Sequence, residues 1–305
     1  MTAISVALAT YNGERYLEPF LASVRAQDWQ DVRLVVSDDS STDRTREMVA
    51  ALWDGAAVHR NTAARGVIGN FSNAMTQTGG GYVALADQDD VWEPNKLSSL
   101  MRRMQECEAR QPGAPVMVFS DLKVVDSDLN VLGDSFFRFT SKSLKASAPR
   151  DFLLSNHVPG CTMLINDALM RLALPVPAEV MMHDWWLALV AAAFGVVDSV
   201  EEPLVLYRQH GANTVGAPMT ERLFSRWFGR LGEPLRRLDS CRRQAALARN
   251  TLLAFRDRFG DTAPPAVQAT LRTMLDGHTV GRLREIRSAR TGETRMKAAI
   301  VAAMI

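Results

Sequence analysis

Cysteine is almost absent: Cys107, Cys161 and Cys241 are the only three in 305 residues. An odd, widely spaced set offers neither a disulfide framework nor a zinc-ligand pattern, so a reducing compartment is expected. Long apolar runs are missing as well. No window approaches the roughly 20 apolar residues that span a bilayer, and the stretch from Ala298 to Ile305 is far too short. The run Ile4 to Ala9 meets polar residues at once, so no leader pattern opens the chain and a cytoplasmic setting is expected. Internal repeats and low-complexity tracts are also lacking. With 47% hydrophobic and 23% charged residues the composition is that of a folded globular protein, long enough for one large domain or two modest ones.

The overall charge of +1 hides an asymmetry. Residues 1–216 carry 18 Lys+Arg against 26 Asp+Glu, a net of −8, whereas residues 217–305 carry 17 against 8, a net of +9. A boundary near 216 therefore divides an acidic body from a basic, Arg-rich tail with helical patterning and a Pro-Pro break at 264–265. Such a tail is expected to meet an anionic membrane surface or a second copy of the chain, or else to form a solvated helix pair. No recognition-helix or aromatic stacking pattern accompanies the arginines, so no nucleic acid is expected.

The first hundred residues alternate between two periods. "ISVALAT" (4–10) reads as a buried strand ending at an Asn-Gly turn signal. Leu17, Phe20, Leu21 and Val24 follow at helical spacing. "VRLVVSD" (32–38) and "YVALAD" (82–87) read as strands, and 46–53, 69–77 and 94–110 as helices. This order predicts an open α/β sheet, mostly parallel, with helices on both faces. In such sheets ligands gather beyond the carboxyl ends of the strands. The ends Thr10-Tyr11-Asn12, Asp38-Asp39 and Asp87-Gln88-Asp89-Asp90 should therefore converge on one crevice. Later segments read as strands over 116–126, a polar loop over 134–150, a strand and helix over 160–174, a buried helix over 183–195 and a strand within 201–216.

Three carboxylates in four positions, Asp87, Asp89 and Asp90, repel one another unless a cation or hydrogen bonds offset them. Set at a strand end, two of them can share a hard divalent ion such as Mg²⁺ or Mn²⁺ with the phosphates of a substrate. The plainer alternative is that Asp89 or Asp90 caps the helix near Pro94. Asp38 could accept hydrogen bonds from a base or ribose, because Ser40, Ser41 and Asp43 are available to cap the helix near Thr45. Asp184, beside His183, Trp185 and Trp186, heads an apolar helix, where the helix dipole alone favours an acid. The same dry setting can raise its pKa into the range of a general base. His210 ends the last strand beside Arg208 and offers a further metal or phosphate contact. "DQDDV" also satisfies the Asp-x-Asp-x-Val pattern of haloacid dehalogenase-type phosphatases with Asp87 as nucleophile, although no downstream lysine and paired-Asp set is evident. A non-catalytic nucleotide-sugar-binding protein is the other alternative.

Together, "ATYNGERYLEPFLASVRAQ", "VVSDDSSTDRT", "ALADQDDVWEPNKL" and "HDWW" resemble glycosyltransferase family 2, whose nucleotide-sugar-binding fold is called GT-A. The likeness covers roughly residues 3–215. It implies that Thr10, Tyr11, Asn12, Glu14, Asp38 and Asp39 meet the nucleoside, and that Asp87 and Gln88 complete the donor site. It implies further that Asp89, Asp87 and His210 hold Mg²⁺ or Mn²⁺ and that Asp184 is the general base of an inverting transfer. His183, Trp185, Trp186, Gly160 and Arg208 would then frame the sugar and acceptor. The commoner family pattern is Glu-Asp where this chain has His183-Asp184. "DQDDVW", "HDWW" and "YRQHGANTVG" are similar to bacterial rhamnosyltransferase-like members, which build cell-surface polysaccharide from dTDP-rhamnose or a related donor. The Gln-x-x-Arg-Trp motif of processive members is missing, which implies single additions to a saccharide or lipid-linked saccharide acceptor.

Overall fold

Both faces of the sheet are covered by helices, as the alternating apolar runs require. The computed structural model describes residues 2–62, 64–140, 142–210, 233–287, 289–290 and 295–305. The first half runs β1 (Ile4–Thr10), α1 (Glu14–Arg25), β2 (Val32–Asp38), α2 (Thr45–Leu52), β3 (Ala57–Arg60), α3 (Val67–Gln77), β4 (Tyr82–Asp87), β5 (Val91–Trp92) and α4 (Lys96–Arg110). The second half runs β6 (Val116–Val125), β7 (Val131–Gly133), α5 (Phe136–Phe139), β8 (Met163–Ile165), α6 (Asp167–Ala173), α7 (His183–Phe194) and β9 (Val196–Arg208). Helices α8 (Glu233–Phe259), α9 (Pro265–Asp276), α10 (Thr279–Arg287) and α11 (Arg295–Met304) follow.

The strands pair in the order β3-β2-β1-β4-β8-β6-β9-β5, with β7 beside β6. The first four are parallel, as the alternating strand and helix order predicts. Beyond β4 the sheet is mixed: β8 runs antiparallel to both β4 and β6, and β9 runs parallel to β6. The two-residue side-chain period divides the core. Ile4, Val6 and Leu8 of β1 join Leu17 and Phe20 of α1 on one face, and Ala7 joins Phe71 and Met75 of α3 on the other. The short β3 is exposed at three of its four positions, so it lacks the apolar pattern that would mark it in the sequence. Residues 134–150 are not simply a loop: α5 and a 3₁₀ turn at Pro149–Phe152 form there because Ser135 caps α5 and Phe136 and Phe152 are buried.

α7 is apolar on every side, and eleven of its twelve residues are buried. The basic tail supplies part of its cover. Trp186 stacks on Phe259 of α8 at 5.8 Å between ring centres and meets Phe255 edge-on at 6.0 Å. Aromatic pairs of this kind add about 0.5–1.5 kcal/mol beyond the burial itself. Within the described residues, then, the tail helices share one continuous core with the body. Residues 211–216 of "YRQHGANTVG" and the first part of the tail, 217–232, lie outside the described residues.

Candidate active site

A cavity of about 1220 Å³ opens beyond the carboxyl ends of β1, β2 and β4. Thr10, Tyr11, Asn12, Asp39, Asp87, Gln88 and Asp89 line one end, and Gly160, His183, Asp184, Trp185 and His210 also face it. Elements more than a hundred residues apart in the chain therefore meet here.

The β1 end is built around a left-handed turn. Asn12 has φ 47°, a conformation asparagine tolerates better than most residues. Its side-chain oxygen accepts from the Thr42 amide, and its own amide donates to Ser41. The Tyr11 amide donates to Gln88 Oε1 at 3.0 Å, and Gln88 Nε2 donates back to the Tyr11 carbonyl at 2.9 Å, which ties the ends of β1 and β4 together. A Cβ at position 13 would lie 2.2 Å from Gln88 Oε1, so this clasp requires Gly13. The Tyr11 ring is 57% exposed at the cavity and is available to stack on a planar ligand.

The two strand-end aspartates of β2 separate in role. Asp39 lines the cavity and accepts from Asn61 Nδ2 and the Gly66 amide, both at 2.8 Å. Asp38 does not. It is fully buried, accepting from Thr10 Oγ1 and from the Ser41 amide and hydroxyl, and so positions the β1 and β2 ends instead of meeting a ligand. Glu14 is also displaced from its expected place: its carboxylate accepts from the Arg44 amide at the head of α2. Trp186 belongs to the core, its Nε1 donating to the Ala173 carbonyl. Arg208 is buried and braces the acidic loop, Nε donating to the Asp89 carbonyl at 2.8 Å while its guanidinium lies over the Tyr16 ring.

The acidic loop concentrates negative charge. Burial, followed by the charges of Asp89 and Asp184, pushes the Asp87 carboxyl up to about 7. Asp89 Oδ2 lies 2.8 Å from His210 Nε2, and the His210 ring stacks on Tyr16 at 4.7 Å. Asp90 caps no helix; Asn95 stands at the start of α4. Instead Asp90 Oδ1 accepts from the Arg208 amide, Oδ2 has no hydrogen-bond partner, and burial raises its pKa well above the usual range. Lys96, fully buried, sits behind this loop with Nζ 3.3 Å from the Trp92 ring centre and donating to the Cys161 carbonyl at 2.7 Å. Burial lowers its pKa to about 7, against the opposing pull of Asp90 and Asp87.

Two donor sets could hold a cation. Asp87, Asp90 and Cys161 offer atoms within 4.8 Å of one another. Asp90 does not line the cavity, however, and burial keeps the Cys161 thiol protonated, so this set suits a hard ion poorly. Asp87, Asp89 and His210 face the cavity and offer carboxylate oxygens with one imidazole, ligand types that Mg²⁺ or Mn²⁺ accepts, but of these three only Asp89 and His210 are drawn into contact, at 2.8 Å.

Asp184, at the head of α7, lies near enough to Asp87 for its charge to raise that carboxyl. Burial raises the Asp184 carboxyl itself to about 6, with the Lys142 ammonium and hydrogen bonds from the Trp185 and Gly160 backbone opposing the rise. Its neighbour His183 is held neutral, burial pushing its pKa down to about 3. The imidazole stacks on Phe71 at 3.9 Å, and neither ring nitrogen has a hydrogen-bond partner. A Cβ on residue 160 would approach His183 Nε2 to 2.9 Å, which explains the glycine there.

Several lining residues escape the sequence reading: Tyr16, Lys142, Asn156, and from α8 Ser240, Arg243, Gln244 and Leu247. The α8 set recurs at i, i+3, i+4 and i+7, one helix face, but its mixed polarity resembles a solvated surface.

The family model for glycosyl transferase family 2 matches residues 5–171. An uncharacterized glycosyltransferase of Nostoc sp. is 26% identical over 69% of this chain and 66% of its own length. The dTDP-rhamnosyl transferase RfbG of Shigella flexneri is 25% identical over 74% of this chain and 78% of that protein. The chain spans 62–66% of the length of several curated relatives it matches. Among solved structures, the mannosyltransferase PcManGT of Pyrobaculum calidifontis, in complex with GDP-Man and Mn²⁺, superposes with a TM-score of 0.54 at 16% identity, covering 98% of this chain and 74% of that one. These likenesses establish a GT-A fold.

Proposed function

We propose, from the premise that this chain belongs to glycosyl transferase family 2, that it moves a sugar from a nucleoside-diphosphate donor to a hydroxyl of a saccharide or lipid-linked saccharide, with inversion at the anomeric carbon. One observation carries the reading: the Asp87–Asp89–His210 set and Asp184 line the same cavity. A haloacid dehalogenase-type phosphatase does not fit, because "DQDDV" ends the fourth strand of a GT-A sheet.

In this mechanism the Tyr11 ring and the β1–β4 clasp receive the nucleoside, and Asp39 closes that end. Asp87, Asp89 and His210 would hold Mg²⁺ or Mn²⁺, which supplies electrostatic stabilisation of the departing diphosphate. Asp184, ionised, accepts the proton of the acceptor hydroxyl, and attack from the face opposite the leaving group inverts the sugar. Trp185 fixes the head of α7, its Nε1 bonded to the Phe152 carbonyl at 2.6 Å, and so orients Asp184. Similarity to RfbG favours dTDP-rhamnose as donor. A panel of nucleotide sugars assayed for transfer and slow hydrolysis, with and without EDTA, tests this. Turnover of dTDP-rhamnose that EDTA abolishes is the expected result, and equal turnover of UDP-glucose would remove the rhamnose assignment alone.

The tail bears on where the enzyme works. Among the described residues no helix is long and apolar enough to cross a membrane. α10 nevertheless exposes Val280, Leu283, Arg284 and Arg287 at i, i+3, i+4 and i+7, an apolar and basic face suited to lie on anionic headgroups at the cytoplasmic side. Binding to anionic vesicles should weaken with salt and fall with Arg284→Glu plus Arg287→Glu, at about 1 kcal/mol per basic residue. Equal binding to neutral vesicles would contradict this surface.

A further inference from the structure

The 3₁₀ turn at Pro149–Phe152 joins the basic tail to the head of α7. Its Asp151 is buried, and both carboxylate oxygens are used. Oδ2 accepts from the Ser147 and Ala148 amides, each at 3.1 Å, which sets the start of the turn. Oδ1 accepts from the Arg290 amide at 2.7 Å. The Arg290 guanidinium lies 3.6 Å from Oδ2 and donates to the Lys145 carbonyl at 2.7 Å. Arg290 stands just beyond α10, whose Ile286 is buried in the same core as Phe152 and Trp185. The tail therefore clasps this turn through a carboxylate and through the core.

From the turn the contacts run on to Asp184. The Phe152 carbonyl accepts from Trp185 Nε1 at 2.6 Å, and the Trp185 amide donates to Asp184 Oδ1 at 2.6 Å. Gln244 of α8 holds the next part of the wall, donating to the Leu154 carbonyl at 3.0 Å. A chain of short polar contacts thus links the tail to the proposed base. An ion pair with a guanidinium that is half exposed adds little to stability. Position is a different matter, because a misplacement of about 1 Å at a reacting group can cost about 10²-fold in rate.

We infer that Asp151 and Arg290 are positioning residues for the reaction: the tail fixes the turn at Pro149–Phe152, and the turn holds Asp184 in place through Trp185. The inference rests on the reading of Asp184 as base and adds the tail to the parts that present it. Neither Asp151 nor Arg290 lines the cavity, so both act through Trp185 and not on a bound substrate.

The test is a double-mutant cycle with Asp184→Asn in the full chain. The rate followed is hydrolysis of dTDP-rhamnose, or of whichever nucleotide sugar the donor panel turns over fastest, with water in place of the acceptor. Asp151→Asn keeps the shape but turns an N–H toward amides that need an acceptor. It should lower kcat about tenfold or more with donor KM unchanged. Arg290→Ala should lower kcat by less, and Arg290→Lys should restore part of the loss. In the Asp184→Asn background the same changes should cost no more than about twofold, because a base that is absent cannot be misplaced. Glu285→Ala is the stability control. It removes the 3.2 Å bond from Thr270 between α9 and α10, and should lower the melting midpoint while leaving kcat unchanged well below it. Should Asp151→Asn fail to fold, Arg290→Ala closes the cycle by itself. Equal losses in both backgrounds, or a wild-type kcat in both Asp151→Asn and Arg290→Ala, would overturn the inference. A wild-type rate in Asp184→Asn alone overturns the reading of the base, whereas a loss there with additive tail effects overturns only this positioning role.

Discussion

Asp184→Asn should lower sugar transfer by about 10²–10⁴-fold, the usual contribution of a positioned general base, while leaving nucleotide affinity within a few-fold. The substitution keeps shape and removes the proton acceptor. The Trp185 amide, which donates to Asp184 Oδ1 at 2.6 Å, retains an amide oxygen as partner, so the head of α7 should stay folded. Burial raises the Asp184 carboxyl to about 6, and a base works only when ionised. The rate should therefore fall as pH drops through about 6, tending toward tenfold per unit. Asp87, pushed up to about 7 by burial and its acidic neighbours, offers a rival origin for this limb. A bound cation lowers the pKa of a carboxylate beside it. At saturating Mn²⁺ the limb near 6 should therefore persist and should vanish in Asp184→Asn. An unchanged rate in that variant would remove Asp184 as base and favour a non-catalytic binding protein.

The second large effect concerns Asp89. Asp89→Ala removes a carboxylate that faces the cavity and leaves His210 Nε2 without its 2.8 Å partner. Outer-shell changes typically cost 10–100-fold in metal affinity, so loss of a direct ligand should cost about 100-fold or more. Metal-dependent nucleotide binding should fall in parallel, measured as the difference in affinity with Mn²⁺ and with EDTA. Asp38→Asn serves as contrast. Among the described residues its side chain bonds to Thr10 and Ser41 and lies 3.8 Å from Arg46, so the change should act on stability more than on the metal dependence.

The three acidic or polar strand ends were legible in the sequence because strand period and turn signals locate where each apolar run stops. Their meeting in one cavity follows from parallel order alone. The division between Asp38 and Asp39 was not legible. Both follow β2, and only the twist of the backbone decides that Asp38 turns inward to Thr10 while Asp39 turns out to Asn61 and Gly66. Trp185 and Trp186 pose the same problem: adjacent on a wholly buried helix, one reaches the cavity and the other faces Phe255 and Phe259. Lys96 gave no signal, because a lysine near a helix start is ordinarily solvated and here it is sealed behind Trp92. The α8 wall was hidden for a different reason. Its charge pattern resembles a free surface, and only the packing of Phe255 and Phe259 on α7 brings Arg243 and Gln244 to the cavity.

The most direct measurement is anomalous diffraction at the manganese edge from crystals soaked with Mn²⁺ and a nucleoside diphosphate. A single strong peak at about 2.0–2.2 Å from a carboxylate oxygen of Asp89, with the diphosphate beside it, is the expected result. Nucleotide bound in this cavity with manganese elsewhere, or with none, would contradict the account.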